Sequence, residues 1–379
     1  MAASRGSIRR VPPAVLSTRA LNRALLQRQG LLERSDGPAL AWVERLVGLQ
    51  AQEPPDPYVG LWSRIRDLDP LELSDALGER QAVRASLMRG TIHLVSARDC
   101  LGLHPLTQPL LNHVWRSAWQ KRLNGAPVDE VVEAGRELLA ERPRPRAELQ
   151  RLLAPRWPEA EPLALAYVVT YMLPLVQVTP RGQWRASAQA TWALAEDWLG
   201  APLDGDASLD DLVRRYLAAF GPATVSDMRT WCGLNGLRAV VERLRPELRT
   251  FRDERGRELF DVPDGPLPDP ATPAPPRFLG TYDNVLLSHD DRARVQSGLG
   301  PGLPVPRGGW IGTLLVDGCY RAFWKLVEDG GSATLTIDRF TPHPDDPDGA
   351  MPALVEEGER FAAFLAPGAA ARVEFDPVL

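Results

Sequence analysis

Apolar residues recur along this chain in two periods, and the change from one to the other marks its units. Leu40, Val43, Leu46 and Val47 keep the three- and four-residue spacing of one buried helical face. Such spacing predicts helices over 16–29, 38–49, 58–65 and 71–77. The period then shortens to two, in β-prone runs at 83–87 and 91–95 around Met88-Arg89-Gly90. Several helices followed by a hairpin is the layout of a winged helix, in which the hairpin is the wing. It recurs less regularly with helices over 129–140, 146–153 and 163–172, and a hairpin of 176–179 and 183–185 around Pro180-Arg181-Gly182. A third set has helices over 209–220, 224–232 (capped by Thr224) and 237–244, with strands 248–252 and 258–262 around Glu254-Arg255-Gly256. The three sets form a repeat of architecture with little sequence identity.

Residues 263–276 hold seven prolines and read as a linker. Strands follow over 310–316, 319–327 and 333–340, joined at Asp317-Gly318 and Asp329-Gly330-Gly331, both hairpin signals, and a helix over 355–365 closes the region. The expected fold is mainly α with β. Three tandem winged-helix units, 15–105, 128–200 and 205–263, precede a C-terminal β-rich region, 277–379. That last region is expected to clamp the helical units rather than touch DNA.

Composition and charge refine this picture. At 379 residues, 44% apolar and 25% charged, the chain has the make-up of a soluble globular protein with two or three cores. The net charge of −5 argues at first against nucleic acid. Its distribution matters more: residues 1–150 sum to +4, 151–250 to zero and 251–379 to −9. A phosphate-binding face is therefore expected in the first two-thirds, although a solvated surface of uneven charge reads equally well. Cys100, Cys232 and Cys319 are far apart and suggest neither a disulfide framework nor a zinc site. His104, His113 and His343 share no ligand spacing, so no metal and no cofactor is expected. The basic N-terminus is followed by no apolar run like a signal peptide's, and nothing approaches a membrane span, which makes the cytoplasm the expected location.

The chemistry concentrates in Val47-Gly48-Leu49-Gln50-Ala51-Gln52-Glu53-Pro54-Pro55, read as the last turn of a helix running into two prolines. Side chains at i and i+2 of extended backbone point the same way, so Gln50 and Gln52 are placed to converge. Two neutral amides hold a water and a polar ligand edge together; alternatively they cap a helix end or meet solvent. Glu53 and Asp56 either assist electrostatically or are turn residues before proline. Arg89, Arg181 and Arg255 occupy the hairpin turns, as phosphate contacts or as ordinary exposed arginines. His93 alternates with Ile92 and Leu94 and is a cleft candidate. His289, beside Asp290, Asp291 and Arg292, either fixes DNA or the cleft or is a satisfied structural histidine.

Three stretches carry a more specific resemblance. They are Gly48-Leu49-Gln50-Ala51-Gln52, Leu87-Met88-Arg89-Gly90-Thr91-Ile92-His93-Leu94-Val95, and the run from Arg277 to Val295, which contains Asp283, Asn284, Ser288, His289 and Arg292 in an Asp-Asn-x-x-x-Ser-His-x-x-Arg pattern. Together they resemble the winged-helix DNA glycosylase superfamily of AlkZ and YcaQ, over roughly residues 15–365. Gln50-Ala51-Gln52 is similar to the AlkZ-type motif, whereas the YcaQ branch has aspartate at the second position. The resemblance implies a monomeric, monofunctional glycosylase with Gln50 and Gln52 as catalytic residues. It also implies double-stranded DNA with an alkylated guanine as partner, and N7-alkylguanines, bulky adducts and interstrand crosslinks among them, as substrates. Asp283, Asn284 and Arg292 join the cleft candidates on the same basis. The alternative is a non-catalytic winged-helix protein, a transcription regulator or a drug-sequestering resistance protein, which three units in one chain fit poorly. A metal-dependent hydrolase would need clustered His and carboxylate ligands, which the sequence does not offer.

Overall fold

A computed structural model of the chain describes residues 13–296, 311–338 and 351–376. Strand β1 (Val15–Leu16) leads into α1 (Thr18–Arg28), capped by the Ser17 hydroxyl. Next come α2 (Ala39–Arg45), the two-residue strand β2 (Leu49–Gln50), α3 (Asp56–Trp62) and α4 (Pro70–Gly78). The first hairpin is β3 (Ala82–Ser86) and β4 (Ile92–Ser96). It runs directly into α5 (Ala97–Trp119), a 23-residue helix that the sequence spacing does not predict. Pro105 and Pro109 lie inside it and interrupt the pattern. A Ser96 cap and the buried Leu103, Leu111 and Trp115 hold it helical nonetheless.

The second set comprises α6 (Val128–Glu141), β5 (Arg144–Pro145), α7 (Arg146–Leu153), α8 (Pro162–Met172), β6 (Leu175–Gln177), β7 (Thr191–Leu194) and α9 (Ala195–Leu199). The partner of β6 is β7, not the predicted run 183–185, which forms turns in the intervening loop. The third set follows the predicted boundaries to within a residue or two: α10 (Leu209–Phe220), α11 (Val225–Cys232), α12 (Leu237–Leu244), β8 (Arg249–Asp253) and β9 (Glu258–Asp261). Thr224 and Asp227 form a reciprocal capping box at α11. Then come β10 (Arg277–Leu279), α13 (Asn284–Leu287), β11 (Gly312–Val316), β12 (Cys319–Asp329), β13 (Ser332–Asp338), α14 (Met351–Leu365) and β14 (Ala370–Asp376). Trp310 and residues 339–340 of the predicted strands lie outside the described residues.

The hairpins are not three separate wings. The first two join edge to edge, β3 on β6, in a six-stranded sheet of order β2-β4-β3-β6-β7-β5. The third takes β1 as a parallel neighbour, which ties the start of the chain to β8. The C-terminal strands form a sheet of order β10-β11-β12-β13-β14 covered by α14, whose Phe361 stacks on Phe278 at 4.9 Å. One apolar cluster runs from Trp42, Val59 and Trp62 of the first set into Phe278, Trp324 and Phe361.

Ion pairs cross the same junctions. Arg64 meets both oxygens of Asp283 at 2.7 and 2.8 Å, Arg28 meets both of Asp261 at 2.8 Å, and Arg34 and Arg277 share Glu357. The acidic excess beyond residue 250 is thus partly spent on arginines of the helical sets. Removing one partner of such a buried pair costs about 3–5 kcal/mol, because a charge is left enclosed.

Three histidines are enclosed and held neutral. Burial pushes His93 down to about 3 and His104 down to about 4, and drives His289 well below its usual value. The unfolded chain, with histidine near its usual ~6.5, binds these protons more readily than the folded one. Stability is therefore fully present above ~6.5 and falls as pH drops through the interval down to the folded values. Each histidine contributes a slope of up to about 1.4 kcal/mol per pH unit. Urea unfolding between pH 7.5 and 4.5 should show this loss, and His104→Leu should make it shallower; an unchanged slope would remove His104 from the account.

Candidate active site

Gln50 ends a strand and Gln52 lies in the bend beyond it, not at a helix end, because α2 stops earlier than the apolar spacing predicts. Val47 N–H donates to Glu44 at 3.1 Å and Gly48 N–H to Val43 at 2.8 Å, closing the helix with two reversed bonds. Both residues are left-handed, with φ of 55° at Val47 and 90° at Gly48. A β-branched residue there is strained by about 1–3 kcal/mol. At Gly48 a side chain is excluded: a Cβ would lie 2.6 Å from Val95 Cγ1. The reversal sends the chain into β2, with Leu49 opposite Leu94 and Gln50 opposite His93. Asn284 holds the turn from outside, its Nδ2 donating to the Gly48 carbonyl at 2.8 Å and more weakly to that of Leu46 at 3.5 Å.

Gln50 is 6% exposed. Arg89 Nη2 donates to its Oε1 at 2.6 Å, and Nη1 of the same guanidinium donates to the Trp231 carbonyl at the end of α11. Since a guanidinium only donates, the oxygen of Gln50 must face it, and the amide nitrogen is left over. Arg89 was expected on an exposed wing turn. Its turn, Met88–Gly90, is instead tight, with Arg89 at φ 56°, and the side chain points inward. Burial, helped by the nearby Arg292, pushes its pKa down to about 10. Gln52 is exposed, and its Oε1 accepts a long bond of 3.5 Å from Ile92 N–H. Ala51 continues the ladder, its N–H on the Ile92 carbonyl at 2.8 Å and its carbonyl accepting from Arg84 at 2.6 Å. One glutamine is thus enclosed and the other faces solvent.

The remaining candidates separate. His93 is buried beside Arg89, with Nδ1 3.0 Å from the Thr91 carbonyl. Arg292 is half-buried and near Arg89. Arg181 is half-buried, donates to the Ala188 carbonyl at 2.7 Å and lies close to Arg84. Arg255 is exposed in the third hairpin turn and paired with Asp291 at 2.9 Å. One expectation is corrected. Asp283 does not line a cleft: both its oxygens meet Arg64, and it caps α13. His289 follows its structural alternative: it is enclosed with Nδ1 at 2.9 Å from the Ser288 hydroxyl and Nε2 at 3.1 Å from the Phe220 carbonyl. Asn284 acts through the Gly48 turn. Asp56 is buried and accepts from Tyr282 N–H at 3.2 Å, part of the junction with the C-terminal region.

Arg84 was missed, although a charged residue inside the β-prone run Ala82–Ser86 was a readable signal. With Arg89, Arg181 and Arg292 it makes a group of arginines with no carboxylate ion pair among the described residues. Burial, then Arg181, pushes its pKa down to about 10. Glu53, beside Gln52, lies near Arg84, so in a chain of net charge −5 the motif is neighboured by four arginines and one carboxylate.

Residues 43–364 match the family described as DNA glycosylase AlkZ-like. The chain belongs to that family. Among curated relatives, it is 28% identical over 356 residues to the interstrand DNA cross-link repair glycosylase of Streptomyces sahachiroi, covering 84% of this chain and 89% of the relative. Among solved structures, Streptomyces sahachiroi DNA glycosylase AlkZ superposes with a TM-score of 0.75 at 22% identity, over 96% of this chain and all of the other, a likeness of fold. As an AlkZ-like glycosylase the chain is a hydrolase of N-glycosyl bonds in DNA, which sets aside the non-catalytic alternative. Among the described residues, no group of three His, Cys, Asp or Glu is placed to hold a metal, and no helix is long and apolar enough to cross a membrane.

The anchoring of the motif is testable. Asn284→Ala should lower single-turnover excision about tenfold, the equivalent of about 1.4 kcal/mol of barrier. DNA affinity and melting temperature should stay close to those of the parent, and an unchanged rate would show that the Gly48 turn holds without Asn284.

Proposed function

We propose that this AlkZ-like glycosylase hydrolyses the N-glycosidic bond of N7-alkylguanines in double-stranded DNA, with Gln50 and Gln52 positioning the attacking water. The observation that carries this is the buried amide of Gln50, fixed by Arg89 in surroundings rich in arginine. Alkylation at N7 gives guanine a positive charge that its departure neutralises. Cleavage passes through an oxocarbenium-like state, which water then captures. An amide is no general base, and it stabilises a developing cation less than an ionised carboxylate does. Positioning must supply most of the acceleration, so the lesion must supply the charge. Bulky adducts and interstrand crosslinks fall within this chemistry, and a curated relative is named for cross-link repair. Repair or self-resistance against DNA-alkylating antibiotics follows as the biological role.

The reaction is monofunctional. A glycosylase that also nicks the strand commonly forms a Schiff base through an amine. Lys121 and Lys325 are the only lysines, both are exposed, and neither adjoins the motif in sequence. The product is an intact strand with an abasic site.

Gln50→Ala and Gln52→Ala should each lose excision of N7-methylguanine while binding DNA, and the double variant should lose less than the product of the two losses. Full single-turnover activity in either would remove the motif from the mechanism. A panel of oligonucleotides with one lesion each, at enzyme excess and fixed salt, should show release of N7-alkylguanines, bulky ones included, and little of uracil, hypoxanthine or 8-oxoguanine. Release of uracil as fast as N7-methylguanine would overturn the amide-only mechanism.

A further inference from the structure

The face of the sheet that carries Gln50 holds a second group with unused hydrogen-bonding capacity. His93 is the cross-strand partner of Gln50. Directly opposed residues of an antiparallel pair project to the same face, their Cβ atoms about 5 Å apart. The tautomer of His93 follows from its one bond. Nδ1 lies 3.0 Å from the Thr91 carbonyl, which only accepts, so Nδ1 carries the proton and Nε2 carries the lone pair. Nε2 is buried and has no hydrogen-bond partner among the described residues. A native fold rarely leaves such an acceptor idle.

Gln50 has the complementary deficit. Its Oε1 is already engaged by Arg89 at 2.6 Å, so its amide meets a ligand chiefly through its N–H groups. Water that attacks a sugar carbon must direct one lone pair at that carbon and give up a proton. Gln50 orients it by donating; something else must accept.

We propose that His93 Nε2 accepts the hydrogen bond of the attacking water beside Gln50 and takes its proton as the new bond to the sugar forms. The C1′–N9 bond breaks with its electron pair going to the base, which leaves neutral. The water oxygen bonds to C1′, and one of its protons passes to Nε2. A weak base suffices, since water bonded to an oxocarbenium carbon is a far stronger acid than an imidazolium. Burial and the neighbouring Arg89 keep His93 neutral at working pH, with its pKa pushed down to about 3, so the lone pair is always available. Gln52 Oε1, engaged only by the 3.5 Å bond from Ile92, is free to accept the second proton's hydrogen bond.

This assignment rests on the proposed role of the glutamines, and the test separates the two. His93→Asn keeps a donor for the Thr91 carbonyl but places no acceptor where Nε2 stood; His93→Gln reaches that position with an amide oxygen. Single-turnover excision of N7-methylguanine is measured for both and for Gln50→Ala, with DNA affinity by fluorescence anisotropy and folding by thermal melting. We expect His93→Asn to lose about tenfold or more in rate with affinity within about twofold of the parent, and His93→Gln, whose amide oxygen accepts the water's hydrogen bond without taking its proton, to recover part of the loss. A merely structural role through Thr91 predicts the reverse order. If Gln50→Ala is inactive while His93→Asn matches the parent, or if His93→Gln is no better than His93→Asn, the assignment of His93 is wrong. A fully active Gln50→Ala instead overturns the glutamine mechanism, and the order of the two His93 variants then judges His93 by itself.

Discussion

The site depends on one reversal of the backbone. Two left-handed residues, Val47 and Gly48, turn the end of α2 into a strand only two residues long. Without that turn the apolar face of α2 would carry on through Gln50 and scatter the motif around a helix. The turn is costly in itself, with a β-branched residue where few are found. It persists because its surroundings over-determine it: Asn284 takes the Gly48 carbonyl, Val95 leaves no room for a side chain, and the β4 ladder receives Leu49 and Gln50. The most distant part of the chain thereby fixes the geometry of an early motif, which is why the C-terminal region is more than a cover.

Charge is organised with the same economy. Arg34 and Arg64 of the first helical set pair with Glu357 and Asp283 of the C-terminal region, and Arg28 ties the first set to Asp261 of the third. The arginines about the motif form no such pair among the described residues. Arg84 and Arg89 instead donate to the motif itself, to the Ala51 carbonyl and the Gln50 amide. Their charge remains available to an anionic partner, and their hydrogen bonds stiffen the backbone and side chain that such a partner meets. A negative overall charge and a positive site are compatible for that reason.

What the sequence revealed follows what local physics controls. The capping box at Thr224, the boundaries of α10 and α12, and the turns at Arg89-Gly90 and Asp317-Gly318 are set by neighbours in sequence, and they read correctly. The glutamine pair stood out as a motif for the same reason. Its geometry did not, since a two-residue strand has no period to detect. Nor could spacing reveal that Arg89 turns inward, that β3 joins β6, or that α5 survives two prolines; each is decided by packing between distant segments. Asp283 misled in the other direction, and His289 takes the structural one of its two readings. A polar residue in a specific motif reads as functional, and here the motif is specific because a buried hydrogen bond and a buried ion pair require it.

Arg89 joins two parts of the molecule that are otherwise remote in sequence. One nitrogen holds the amide of Gln50; the other holds the Trp231 carbonyl, at the end of α11. A planar guanidinium has no internal freedom between its nitrogens, so it behaves as a rigid strut. A shift of α11 relative to the sheet therefore reaches the Gln50 amide through one side chain, and under the proposed mechanism a duplex that displaced α11 would change reactivity as well as occupancy.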